Sequence, residues 1–135
     1  EKESFNKIVD WYISDMIDIA PDEYNIEYLY NEIDEGIGHF IINGEDCFMV
    51  HGHQDTINSV LMNVIMASGI IPKYIIMGHY HSKTTIDQAR STVFVNGSLV
   101  GVDEYAKNKR YFSKPSQTLV IFDEDEDIID IQIRL

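Results

Sequence analysis

The chain has 135 residues, 44% hydrophobic and 24% charged, a balance that suits one globular domain with a real core and excludes a disordered chain. Its 23 acidic side chains outnumber 10 Lys and Arg, and the resulting formal charge of -13 repels nucleic acid at long range unless cations reverse it locally. No apolar run reaches the length of a membrane span and no signal peptide is recognisable, so a cytoplasmic protein without membrane contact is expected.

Residues 3–19 place Phe5, Ile8, Val9, Tyr12, Ile13, Met16 and Ile17 at helical spacing. Ser4 is expected to cap this helix and Pro21 to end it. The tyrosine-rich segment 24–31 reads as an edge strand, after which Gly36 and Gly38 punctuate the chain. His39 to Ile42, Asn43-Gly44 and Asp46 to Val50 predict a hairpin, because Asn-Gly suits a two-residue turn with positive φ. Cys47 lies inside its second strand; a lone cysteine there reads as core, forms no intrachain disulfide and fits a reducing compartment.

A helix over 56–68 follows, with Ile57, Val60, Leu61, Val64 and Ile65 as its buried stripe, Asp55 as N-cap and Gly69 as stop. Tyr74 to Met77 is a short covered strand that ends at Gly78-His79. A right-handed strand–helix–strand crossover places both strand ends on one sheet edge, where ligands of open α/β sheets gather. Thr92 to Val95 is a further strand, entering Asn96-Gly97-Ser98. Residues 103–112 read as a loop or short helix carrying Lys107, Lys109 and Arg110. Thr118 to Phe122 and Ile128 to Leu135 form a final hairpin, in which Ile129, Ile131, Ile133 and Leu135 alternate with polar residues. Its turn, Asp123 to Asp127, is five consecutive acids; a solvated turn explains it better than a calcium loop, which needs spaced carboxylates and a central glycine.

Four of the five histidines fall in two places, His51 and His53 in FMVHGHQD and His79 and His81 in IIMGHYHS. Each pair follows an apolar strand and adjoins a glycine that lets the backbone turn closely. Imidazole is a good ligand for first-row transition metals. One such pair is explained as well by ordinary hydrogen bonding; two pairs at neighbouring strand ends favour a metal site.

HGH at 51–53, GHYH at 78–81 and NGSLVG at 96–101 together resemble the calcineurin-like metallophosphoesterases. The resemblance implies an α/β fold, a two-sheet β-sandwich flanked by helices with a dinuclear metal centre at the strand ends. It implies His51, His79 and His81 as metal ligands, and His53 as an accessory neighbour. Two divalent ions would occupy the site, manganese foremost, with iron, zinc and nickel as alternatives. The implied activity is hydrolysis of a phosphoester by metal-activated water, as a phosphodiesterase or nuclease acting on nucleotides or nucleic acid, closer to small bacterial or phage members than to eukaryotic protein phosphatases.

The earlier family motifs, D-x-H, G-D-x-x-D and G-N-H-E/D, supply the bridging and terminal carboxylates, and none occurs here. Residues 1–135 are therefore expected to be a single domain or the C-terminal part of a metallophosphoesterase domain, inactive alone and partnered by an N-terminal half. The alternative is a non-catalytic metal-binding or oligomeric scaffold module, with the apolar faces of helix 3–19 and strand 128–135 serving assembly. Tyr80 is a rim or core aromatic or a substrate contact. Asn96 and Ser98 are turn formers or phosphate contacts. Lys107, Lys109, Arg110 and Lys114 are solvated surface or contacts to a phosphate chain.

Overall fold

The computed structural model describes residues 2–19, 33, 36–100, 102, 107–108, 112–123 and 128–134. The predicted edge strand at 24–31, Lys109, Arg110 and residues 124–127 of the acidic turn lie outside them. Residues 1–30 and 31–135 form two compact units. In the first, helix α1 (Lys2–Ile19) matches the predicted amphipathic segment, although Ser4 falls inside its first turn and so cannot be its cap.

The second unit holds two sheets. The first is five-stranded: β1 (Ile37–Ile42), β2 (Glu45–Val50), β3 (Tyr74–Met77), β4 (Thr84–Gln88) and β5 (Ser91–Val95), in the order β1-β2-β3-β5-β4. β1 and β2 make the predicted hairpin, with Asn43 at φ 50° and Gly44 at φ 81°, both in the left-handed region that this turn requires. β2, β3 and β5 run parallel, which a short hairpin cannot achieve; α2 (Val60–Ser68) makes the crossover between β2 and β3. Val50 pairs with Met77, so the two histidine-bearing strand ends are neighbours, as the sequence implied.

Alternation along these strands builds two cores. Phe48, Ile75 and Val93 form one cross-strand row and Val50, Met77 and Val95 a second, and both pack with Val60 and Val64 of α2. Cys47, Tyr74 and Phe94 occupy the opposite face. They meet Val120, Phe122 and Ile128 from a two-stranded antiparallel sheet of β6 (Ser116–Phe122) and β7 (Ile128–Arg134). The layers are therefore helix, five-stranded sheet and two-stranded sheet, the expected α/β sandwich. Burial pushes the Cys47 thiol pKa up, as expected of an inert core cysteine.

Two expectations need correction. The helix starts at Val60 rather than 56, because Thr56 and Ser59 close a hydrogen-bonded turn through both their hydroxyls and backbones. Asp55 is not the cap: its carboxylate accepts from Asn63 Nδ2 at 2.8 Å instead. Strand β4 was also not apparent from its residues, since TTIDQ has a single large apolar residue, Ile86. Pairing with β5 creates it.

β4 and β7 are pinned by Asp130, which accepts from Thr85 and pairs with Lys83 at 2.6 Å. Lys83, then Thr85, hold its carboxyl below the ordinary carboxylate range. A carboxylate depressed on folding stabilises the native state above its unfolded pKa of about 4, and that contribution is lost as the pH falls through the folded value. Asp130→Asn is expected to cost about 0.5–1 kcal/mol at neutral pH and almost nothing in strong acid. Urea unfolding at the two pH values checks this; an equal loss at both would show that the ionised group contributes nothing.

Candidate metal centre at the strand ends

β2 ends at Val50 and the chain turns at once through His51, Gly52 and His53. Gly52 sits at φ 92°, and a Cβ there would lie 2.7 Å from Met77 Cε and 3.3 Å from Gly78 O. Only glycine combines that backbone with so close a floor. The turn brings the two imidazoles nitrogen to nitrogen, His51 Nδ1 to His53 Nδ1 at 3.1 Å. This hydrogen bond requires one ring to carry its proton on Nδ1 and the other to accept through Nδ1 with its proton on Nε2.

β3 delivers the second pair. His79 and His81 both take left-handed backbone, φ 71° and 56°, at a local cost of the kind that collects at functional sites. His79 meets His51 as a near-perpendicular ring pair with centroids 5.3 Å apart. Among the described residues, His51 makes ring contact with both His53 and His79, and His81 is half-buried. Tyr80 bridges the two loops: its hydroxyl donates to Asp55 O at 2.9 Å and its ring stands edge-on to His79.

A cleft of about 250 Å³ opens beside the first pair, walled by His51, His53, Gln54, Asp55 and Asn63 and floored by Gly52 and Val50. Asp55 was expected as a helix cap before a ligand, and Asn63 was missed as a wall residue. Their contact spans eight positions and has no local signature, whereas the alternate histidines around Gly52 were visible.

The remaining expected site residues lie elsewhere. Asn96 clips the two sheets together: its amide donates to Gln117 Oε1 at 3.1 Å and its carbonyl oxygen accepts from Thr118 N at 2.8 Å. Ser98 O accepts from Ser116 N in the same clip. The fifth histidine, His39, pairs with Asp46 at 2.7 Å and stacks on Phe48.

The donor set does not fit two dications. Among the described residues, no group of three or more His, Cys, Asp or Glu side chains is arranged around a common point. Two cations about 3.5–4 Å apart need anionic bridging ligands, and neutral imidazoles offset none of their charge.

No family model and no curated protein sequence matches the chain. Solved structures do. A single-residue mutant of Vps29 from Entamoeba histolytica superposes with a TM-score of 0.54 at 14% identity, over 82% of this chain and 66% of that one. Wild-type Vps29 from the same organism, complexed with Zn²⁺, gives 0.50 at 16% identity over 81% and 67%. A Thermotoga maritima protein gives 0.51 at 15% identity over 73% and 54%. The chain thus spans between about half and two thirds of the length of these structures. At these identities the likeness is one of fold. Among the described residues, no helix is long and apolar enough to cross a membrane.

Proposed function

We propose that these 135 residues form a metal-binding domain of calcineurin-like fold that does not itself hydrolyse phosphoesters. The donor chemistry at the strand ends carries this reading. Three imidazoles gather there, while the Asp55 carboxylate of the cleft wall is tied to Asn63 and no metal-holding group of three or more His, Cys, Asp or Glu is found among the described residues. The sequence motifs that bring those carboxylates in the resembled family are also missing. A single dication completed by water asks less of the protein. Zinc is the first cation to test, since imidazole ligates it well and one Vps29 carries it on the same fold.

A hydrolytic reading remains attached to the same geometry. His51 and His79 at adjacent parallel strand ends suit a two-metal phosphodiesterase or nuclease in which another polypeptide segment provides the carboxylates. An assembly role has its own support. Leu119, Ile121, Ile129, Ile131 and Ile133 share the outward face of β6 and β7, each between 44% and 54% exposed, and so leave an aliphatic surface available.

Calorimetric titration with Zn²⁺ and Mn²⁺, run beside hydrolysis of bis(p-nitrophenyl) phosphate, separates these readings. The expected result is one metal per chain, affinity reduced at least about tenfold by His51→Ala, and no turnover above buffer. Two metals per chain with manganese-dependent turnover would establish the hydrolase instead. Sedimentation of the same samples tests assembly, whose signature is a dimer indifferent to chelator.

A further inference from the structure

We infer that the outward face of β6 and β7 is a dimer interface, on which a second copy of this chain packs its own hairpin about a twofold axis that sets the acidic turn of each over the basic end of the other. This interface is independent of the metal-binding reading above and gives the assembly role its partner.

Patterning demands a cover for this face. An antiparallel hairpin with one wet face alternates apolar and polar residues. This one is apolar on both sides. Val120, Phe122 and Ile128 pack inward against Cys47, Tyr74 and Phe94. On the opposite face the register pairs Leu119 with Ile131 and Ile121 with Ile129, and Ile133 continues the row beside Gln117. No charge interrupts these rungs, since Asp130 lies on the inward side, held by Lys83 and Thr85. The five aliphatic side chains keep 44–54% of their surface. Two such faces in contact would bury on the order of 1,000 Å² with their rims, near the lower bound of a specific interface, so a dimer of about micromolar affinity is expected.

Charge selects the arrangement. Two hairpins packed face to face about a twofold have two options. An axis along the strands stacks turn on turn and brings together two runs of five acids, Asp123 to Asp127. An axis across the strands lays each turn over the open end of the other hairpin. That end carries exposed Lys114, two residues before β6, and exposed Arg134, the last residue of β7. The second arrangement sets opposite charges together at both ends and centres on Leu119 and Ile131. The formal charge of -13 opposes any self-association, but at physiological salt it is screened beyond about 8 Å, so the local pairing decides.

The test is sedimentation of the intact chain in EDTA across the micromolar range. A reversible passage from the 15.6 kDa chain to twice that mass is expected. Ile131→Glu, on the exposed face, is expected to weaken the dimer at least about tenfold while circular dichroism and thermal unfolding stay at the parent's values. Arg134→Glu is expected to weaken it several-fold, and Asp123→Lys in the same chain to recover part of that loss. A chain that stays monomeric throughout, or a dimer that Ile131→Glu leaves intact, overturns the interface. A dimer sensitive to Ile131→Glu but blind to Arg134→Glu overturns the twofold arrangement. Ile133→Glu, on the same face, keeps the test open should Ile131→Glu fold poorly. Zinc uptake is read apart from this by calorimetry: a dimer that takes up no zinc sinks the metal-binding reading alone, and a strict monomer that binds zinc sinks the dimer alone.

Discussion

Gly97→Ala is expected to destabilise the domain by about 3 kcal/mol or more, the largest loss foreseen for a single methyl group here. A Cβ at Gly97 would lie 2.2 Å from Ser116 Oγ, 2.6 Å from Ser116 O and 3.1 Å from Ser116 C. Two of those atoms are backbone and cannot rotate away. The strain falls on the joint where β5 passes into β6, the same place where Asn96 clips Gln117 and the Thr118 amide. To admit the methyl group, β6 must withdraw, and its inward residues Val120 and Phe122 must loosen from Tyr74 and Phe94. Thermal unfolding should fall by about 10 °C. Adding Ser116→Ala removes the hydroxyl but leaves the carbonyl, so the double variant should recover only part of the loss. A single variant within about 1 kcal/mol of the parent would mean that the joint yields without cost.

Gly52→Ala should act on stability and function together. The left-handed φ of 92° costs an L-residue about 1–3 kcal/mol, and the new methyl group presses on the fully buried Met77. The Met77 methyl group can swing aside, so the expected loss is smaller than at Gly97, about 2 kcal/mol. Its effect on the histidines should be larger in proportion. The path of this turn brings His51 and His53 within hydrogen-bonding distance, and opening it is expected to separate their nitrogens. Zinc affinity should therefore fall at least about tenfold in a protein that still folds. A variant with unchanged zinc binding and a 2 kcal/mol loss would uncouple the turn from the metal.

Gly44 and Gly97 show how far local pattern reaches. The turn at Asn43-Gly44 was legible because its demand is local: two consecutive residues must take positive φ, and Asn-Gly meets that cheaply. The strands 46–50 and 74–77 were legible as short, mostly buried apolar runs with abrupt ends, although Met49 stays exposed. Gly97 carried no such signal. Its requirement comes from Ser116, nineteen residues away, on a different sheet. β4 was silent for a related reason, since an edge strand half-covered on one face needs only Ile86 and the neighbour β5.

The candidate site divides along the same line. Composition and spacing alone determined that histidines are concentrated after two apolar strands and that the carboxylate motifs of the resembled family are missing, while the pairing of Val50 with Met77 made those strand ends neighbours. Only the tertiary structure decided which imidazoles meet. It sets His51 against His53 nitrogen to nitrogen and turns His79 edge-on to His51. It also converts Asp55 from an expected helix cap into a wall of the cleft, because Asn63 and Tyr80 hold it there. The physical reason is range. Turn, strand and helix preferences are fixed by neighbours a few residues away, whereas ligand geometry depends on side-chain directions set by packing between segments far apart in the chain.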